Sequence, residues 1–365
     1  MDIYLIIAIF LLVLALVFEY VKIPQAEEDI VWIILFLSWA ALFSLRSISV
    51  GHDTRNYYRI YELTSNGILS LKSTTSIEKG FIIIMSLACR IGMGFKGFQF
   101  ILCFISLGIV FFVSRKCCCR TYLIYLIYSV GAFFNLMNQE RSALGAFVCI
   151  FALDRLFTKK YLQAIVALII ACSFHFGMIS FIPIVIVSIL EIKLTKRTLS
   201  LFIVISALAY SSISLLVSFL IRISPKYNIY FTDKVRFIKA GNVTYFIFFI
   251  VVVIFAIYSK SKAIHHGIVV GDNYDILLWS SITGATISLL VLKISMAQRF
   301  MTPILFTIPF LIVEAINIEK SRKRRFVLKL IIAIFFFAYM YIYLYISENG
   351  MGRDGIVPYT GGLYE

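Results

Sequence analysis

Long apolar runs recur along the whole chain and are separated by short polar breaks. Most of these runs approach the roughly 17–25 residues that a helix needs to cross a bilayer. They are continuous, as in membrane helices that satisfy their own backbone hydrogen bonds, whereas the strands of a membrane barrel alternate. The predicted spans are Ile3–Val21, Ile30–Leu45, Phe98–Ser114, Tyr122–Met137, Ser142–Phe157, Tyr161–Ser173, Phe176–Leu190, Leu199–Ile221, Val243–Tyr258, Ile276–Leu292, Phe300–Ile316 and Val327–Ile346.

A further apolar stretch, Gly80–Met93, is short for a span and carries Arg90. It is either an additional span or a half-length element that enters the membrane and returns. We therefore predict an all-α, polytopic integral membrane protein. Its helical bundle has about 12–13 membrane segments and forms a single domain over residues 1–365. We expect no soluble domain, and the first run follows Asp2, which favours a retained helix over a signal peptide.

Composition agrees with a membrane protein. The 365 residues are 61% hydrophobic and 15% charged, and the mean hydropathy is +0.95. A soluble domain carries roughly 45–50% apolar and about 25% charged residues, so both fractions depart in the direction of a membrane protein.

The net charge of +15 does not indicate nucleic-acid binding, because the basic residues lie in short loops between the predicted spans. Such loops mark the cytoplasmic side and can contact anionic membrane lipids. Placing them inside leaves the loop 222–242 and the tail 347–365 outside. The loop 46–79 lies outside if Gly80–Met93 returns, and inside if it spans. The basic loops are Ser114–Arg120, Thr158–Lys160, Lys193–Arg197, Ser259–Lys262 and Lys320–Arg325.

The seven cysteines have no spacing typical of a zinc site or a disulfide framework, and we interpret them as structural. The sequence also lacks a phosphate loop, HExxH, DxD and EF-hand pattern. We therefore predict neither a metal nor another cofactor.

Ionisable residues within or beside membrane spans are costly unless they face a cavity or a partner, so they are the candidates for function. Arg141 is either an interfacial arginine or a guanidinium that binds phosphate with two parallel hydrogen bonds. His175 is either a packing residue or an acid or base near neutral pH. Most of the set lies on the predicted outer side: Arg46, Asp53, Glu78, Glu140, Arg141, His175 and Arg299.

Several ordered motifs resemble the EpsG-like branch of the Wzy-type polysaccharide polymerases. The resemblance rests on an arginine, Gly-x-Asp-Thr and tyrosine element, a Glu-x-Gly-aromatic element, an arginine at a helix start, a Phe-His span end and a late arginine. Two positions depart from the family pattern, because Glu140 precedes Arg141 and Phe176 follows His175. The stretches are "LRSISVGHDTRNYY", "IEKGF", "NQERSALGAF", "KKYLQAIVALIIACSFHFGMISFIP" and "AQRF".

The resemblance implies an enzyme that joins oligosaccharide repeat units carried on undecaprenyl diphosphate, at the outer face of the bacterial cytoplasmic membrane. The product would be O-antigen, capsule or another exopolysaccharide. A chain-length regulator is an expected partner protein. The resemblance also places the Gly-x-Asp loop outside, which favours a returning Gly80–Met93.

Arginines can neutralise a departing diphosphate without a metal. We expect Arg141 and Arg299 to do so, with Arg46 as a third candidate. His175 is the first candidate for the base, with Asp53 and Glu78 as alternatives. Three further residues, Tyr57, Tyr58 and Glu140, are candidates for substrate contacts.

Three other functions use similar residues. A lipid-linked oligosaccharide flippase or other transporter needs a cationic cavity but no base, and commonly shows internal repeats, which we do not find. A multi-span O-acetyltransferase would resemble its relatives in an early Arg/His-rich motif, which is missing. An O-antigen ligase would carry a larger outer loop than 222–242.

Overall fold

The computed structural model describes residues 1–21, 23–69, 77–117, 119–212, 243–293, 298–348 and 355–361, together with residues 215, 218, 219 and 222. These residues are helical almost throughout. The helices are α1 (Asp2–Tyr20), α2 (Gln25–Ser44), α3 (Thr54–Ser65), α4 (Lys79–Arg90), α5 (Phe95–Ser114), α6 (Arg120–Ser129), α7 (Ala132–Asn138), α8 (Glu140–Phe157), α9 (Tyr161–Phe174), the 3₁₀ helix Phe176–Phe181, α10 (Ile182–Ile189), α11 (Lys196–Ser211), α12 (Val243–His265), α13 (Asp272–Lys293), α14 (Gln298–Leu305), α15 (Ile308–Asn317) and α16 (Arg322–Glu348).

The predicted all-α membrane bundle is confirmed, and the chain is a multi-pass membrane protein. Six helical segments of the described chain are long and apolar enough to cross a membrane, and two shorter apolar segments, Tyr161–Phe174 and Phe176–Ile189, lie among them. The six are Asp2–Glu19, Phe95–Ser114, Val243–His265, Asp272–Leu292, Gln298–Asn317 and Arg322–Ile346.

Some predicted spans are broken, and one continues beyond the described residues. The predicted span Tyr122–Met137 is two helices, α6 and α7, because Gly131 between them has φ +86°. This left-handed conformation ends a helix and favours glycine. The predicted span Leu199–Ile221 is helical as far as Ser211. Most of its remainder, most of the predicted loop 222–242 and much of the tail 347–365 lie outside the described residues.

The basic loops lie at one end of the bundle, which we call the basic end, and ion pairs connect them to one another and to neighbouring helices. Each pair joins different segments, and Lys159, Lys193 and Asp275 line one cavity there. The five basic loops singled out in the sequence are therefore neighbours in space. The pairs are Arg115–Asp29, Arg120–Asp29, Lys116–Asp154, Lys159–Glu191, Lys260–Asp275 and Lys262–Glu319.

The other end of the bundle, which we call the site end, holds the last turns of α2 and α9 and the first turns of α5 and α8. Helix α4 begins here, beside Arg141, and after its 12 residues the chain returns to the first turn of α5. Twelve residues of helix extend about 18 Å, less than the roughly 30 Å of a hydrocarbon core. The segment Gly80–Met93 therefore does not cross the bundle.

Aromatic packing fixes α3 and α4 against α5 at the site end. The rings of Tyr61 and Phe95 lie 5.7 Å apart, and those of Phe81 and Phe98 lie 5.8 Å apart. The side chains of Phe81 and Phe98 are fully buried. The same apolar cluster includes Tyr57 of α3 and Leu144 of α8, so it supports both helices that carry the polar residues.

Candidate functional site

Arg46 and Glu140 form a buried ion pair at the site end. Arg46 Nη2 lies 2.9 Å from Glu140 Oε1, and neither side chain is exposed. The guanidinium also donates to the carbonyl oxygens of Phe43 and Met137, at 2.5 and 3.2 Å, and stacks 3.9 Å from the ring centroid of Phe43. Its hydrogen-bonding capacity is used within the protein.

This enclosure corrects two expectations from the sequence. Arg46 was expected to bind diphosphate and Glu140 to contact substrate, but a ligand cannot reach a side chain without exposed surface. The same oxygen of Glu140 accepts a second hydrogen bond from Gln99 Nε2 at 2.8 Å. The pair therefore ties the end of α2 to the first turns of α5 and α8, and supports the site without lining it.

Arg141, the next residue on α8, is partly open. Its Nη1 lies 2.5 Å from Glu78 Oε2, with 17% of the Arg141 side chain and 10% of the Glu78 side chain exposed. The other oxygen of Glu78 accepts from the backbone N–H of Phe176 at 3.3 Å. Glu78 thus links the start of α8 to the turn after α9, and it orients a guanidinium that still reaches solvent.

Tyr57 and Asp53 also lie near Arg141. The guanidinium carbon of Arg141 is 5.8 Å from the ring centroid of Tyr57, a cation–π distance. Burial raises the pKa of Tyr57 to about 12 although Arg141 opposes the rise, so the phenol stays protonated at neutral pH. Asp53 is half-buried, and its backbone N–H donates to Asn138 Oδ1 at 3.1 Å.

His175 sits in the turn between α9 and the 3₁₀ helix. Its Nδ1 accepts from the backbone N–H of Gly177 at 3.0 Å. A neutral imidazole that accepts at Nδ1 carries its proton on Nε2, so this ring is a hydrogen-bond donor at Nε2. The side chain is 7% exposed. The geometry favours a donating His175 over a basic one.

The backbone at the start of α14 packs against the 3₁₀ helix and so places Arg299 near the site. A Cβ added to Gly177 would lie 2.8 Å from the Arg299 carbonyl oxygen. Ser180 Oγ donates to the carbonyl of Phe300 at 2.6 Å. The 3₁₀ helix and the start of α14 therefore pack closely, which brings Arg299 beside the turn that holds His175. The Arg299 side chain is half-buried.

Tyr58 lies apart from this cluster. Its ring packs edge to face on Phe95 with the centroids 5.4 Å apart, and it is 38% exposed. Neighbouring residues on a helix point about 100° apart, so Tyr57 and Tyr58 cannot both face Arg141. Of the two tyrosines, Tyr57 is the one that lies beside Arg141.

Sequence reasoning missed two residues of the site's support. Gln99 was a polar residue within an apolar run, which is a signal that could have drawn attention to it. Thr54 accepts from Arg46 Nη2 at 3.5 Å and donates to the carbonyl of Val50 at 2.7 Å. Thr54 is the threonine of the Gly-x-Asp-Thr element, and that motif was the signal that could have drawn attention to it.

The cluster therefore combines one partly open guanidinium, two carboxylates, a protonated phenol and a donating imidazole. It can bind an anion, donate hydrogen bonds and accept a proton at Asp53. Within the described part of the chain, no three His, Cys, Asp or Glu side chains are grouped as a metal site.

Comparison with known proteins confirms the resemblance seen in the motifs. The profile of the EpsG family matches residues 29–360, which includes every site residue named above. Searches of curated proteins and of solved structures gave no match. Because the family match covers most of its length, the chain belongs to the EpsG family.

Proposed function

We propose that this protein is a polysaccharide repeat-unit polymerase, a glycosyltransferase that uses an undecaprenyl-diphosphate-linked oligosaccharide as donor. Membership of the EpsG family indicates a polymerase-like role in polysaccharide synthesis. The basic end carries five clusters of Lys and Arg, which the positive-inside rule assigns to the cytoplasm. The site end then faces outward in the bacterial cytoplasmic membrane.

The observation that carries the proposal is the partly open Arg141 held by Glu78. A guanidinium with a fixed orientation presents a planar fork that matches a phosphate, and its charge stabilises a leaving diphosphate. Arg299, on the adjoining start of α14, is the second cation. Its backbone lies against the turn that holds His175.

The reaction breaks the bond between the anomeric carbon of the growing chain and the oxygen of its lipid diphosphate. An acceptor hydroxyl on a second lipid-linked repeat unit forms the new bond to that carbon and loses its proton. Undecaprenyl diphosphate leaves with the electron pair. The enzyme must therefore accept one proton and stabilise the charge of one diphosphate.

We assign to Asp53 the role of accepting the proton that the acceptor hydroxyl loses. Among the described residues no cation forms a salt bridge with Asp53, whereas Glu78 is paired with Arg141. A carboxylate without a direct salt bridge has oxygens available to accept from the attacking hydroxyl. His175 then donates from Nε2 to the diphosphate or to a sugar hydroxyl, and the ring of Tyr57 lines the sugar path.

The test is Arg141→Ala and Arg141→Lys in a strain without its own polymerase. We expect both to reduce surface polysaccharide to a single repeat unit, because lysine keeps the charge but not the fork. The matched control is Arg59→Ala on the exposed face of α3, which should keep long chains. Protein levels are compared in isolated membranes.

Long chains from both Arg141 variants would contradict the proposal. Loss of all surface product, including single units, would instead indicate a flippase, since without transport no unit reaches the outer face. The length of the product therefore separates the two functions.

A further inference from the structure

Residues 355–361 form a short extended segment, which we call the strap, that crosses the site end. Arg46 and Gly361 form an antiparallel β-bridge. The backbone N–H of Ser47 donates to the carbonyl of Thr360 at 2.8 Å, and that of Gly51 donates to the carbonyl of Gly355 at 2.8 Å. The strap thus bonds to both ends of the loop between α2 and α3.

Side chains fix the strap to the bundle as well. Tyr4 on α1 donates from its hydroxyl to the carbonyl of Ile356 at 2.8 Å, and Tyr359 donates to the carbonyl of Leu42 at 2.7 Å. Ile356 is fully buried, and Val357 is 7% exposed. Two buried side chains and three carbonyl groups that accept hydrogen bonds hold the strap in place.

Two glycines allow the close approach of the strap and the loop. Gly51 has φ +89° and Gly355 has φ +57°, conformations that L side chains rarely adopt. A Cβ at Gly51 would lie 2.4 Å from the carbonyl oxygen of Met137, and one at Gly355 would lie 3.1 Å from the ring of His52. The loop is therefore enclosed between α7 and the strap.

The loop leads directly into the proposed site. The carbonyl of Gly51 accepts from the N–H of Thr54, where α3 begins, and the carbonyl of Asp53 accepts from the N–H of Tyr57. Since Tyr57 lies beside Arg141, a shift of Gly51 changes the distance between α3 and the guanidinium.

We propose that the strap is a positioning element for the site, and that Ile356 and Tyr359 are its anchoring residues. The inference rests on the proposed function, since it assigns the strap a role in placing Asp53 and Tyr57 for sugar transfer. Neither anchoring residue contacts the substrate in this account. They act through the backbone of the loop 45–53.

The first test measures the position of the loop without reference to activity. Val50→Cys introduces a thiol at a buried position of the loop 45–53, and its reaction with N-ethylmaleimide is followed by mass spectrometry of the peptide. Ile356→Asp and Tyr359→Phe are added separately. We expect the labelling rate to rise about fivefold with Tyr359→Phe, which removes one hydrogen bond, and further with Ile356→Asp.

Two controls accompany these variants. Ile356→Val keeps an apolar side chain and should leave both the labelling rate and the product unchanged. A thiol introduced by Arg59→Cys, on the exposed face of α3, should label at the same rate with or without the strap variants.

The second test measures the polysaccharide made by Tyr359→Phe and Ile356→Asp, with Val50 intact, at matched protein levels. We expect shorter chains than in the parent. An unchanged labelling rate at position 50 would overturn the proposal whatever the product. A raised rate with unchanged chain length would also overturn it, because the loop would move without effect. If the parent chain makes no polymer, the proposed function fails while the labelling still tests the strap.

Discussion

Arg46 and Glu140 lie 94 positions apart in the chain and meet as a 2.9 Å ion pair with no exposed side-chain surface. A buried ion pair is costly to form, and removing one partner leaves an unpaired charge in a poorly solvating environment. Its place between α2, α5 and α8 makes it a fixed support for Arg141, the residue that follows Glu140.

Substituting one member of this pair should destabilise the protein strongly. We expect Glu140→Leu or Arg46→Met to lower the free energy of unfolding by about 3–5 kcal/mol, and the double variant to recover much of that loss. Thermal unfolding of the purified protein in detergent measures this. The matched control is Glu191→Gln, which removes the exposed pair with Lys159 at the basic end and should leave the melting temperature unchanged. Single variants as stable as the parent would contradict the structure.

Gly51→Ala should be far more harmful than Gly67→Ala. Both glycines have positive φ, at +89° and +71°, so both substitutions carry a backbone cost of about 1 kcal/mol. A Cβ at Gly51 meets the backbone of Met137 at 2.4 Å, whereas one at Gly67 meets nothing within 4 Å. Because the backbone cost is the same in both variants, the difference between their melting temperatures measures the cost of the steric clash at Gly51. Equal melting temperatures would show that the loop is not enclosed.

His175→Asn should separate the structural role of this residue from its chemical role. The asparagine oxygen can accept from Gly177 as Nδ1 does, but it offers no group in the place of Nε2. We expect His175→Asn to be present at a normal protein level but to make only single repeat units. His175→Ala should lower both the protein level and the length of the product. Long chains made by His175→Asn would exclude the imidazole from the reaction.

Glu78→Gln should reduce product chain length at a normal protein level. The carboxylate accepts from Arg141 and from Phe176 with different oxygens, and an amide has only one accepting oxygen. Loss of a charge-assisted hydrogen bond costs about 1.5–3 kcal/mol, which corresponds to a tenfold or larger fall in the rate or affinity that depends on that bond. Glu62→Gln on the exposed face of α3 is the control. If Glu78→Gln made the same distribution of chain lengths as Glu62→Gln, Glu78 would have no role in the proposed site.

The sequence predicted the bundle well, because apolar runs report directly on burial in lipid. It also placed Arg141, His175 and Arg299 at one end, since alternating spans leave few choices of side, whereas Glu78 was placed there only by the family resemblance. The breaks at Gly131 and between α14 and α15 were not predicted, as hydropathy does not report backbone conformation.

The internal arrangement of the site could not be predicted for a different reason. Arg46 and Arg141 look alike in sequence, each near a helix end, and only packing of distant segments encloses one and leaves the other partly open. The contact between the strap and the loop 45–53 joins residues about 300 positions apart, counted from Ser47 to Thr360. No local pattern encodes such a pairing.

The most direct measurement follows the purified protein in vesicles supplied with undecaprenyl-diphosphate-linked repeat units. Mass spectrometry counts the released undecaprenyl diphosphate and the repeat units on each remaining lipid. We predict one undecaprenyl diphosphate released per linkage formed, and neither product with Arg141→Ala. Joined units from Arg141→Ala at the parent's rate, or transport of intact donors without joining by the parent protein, would contradict the account.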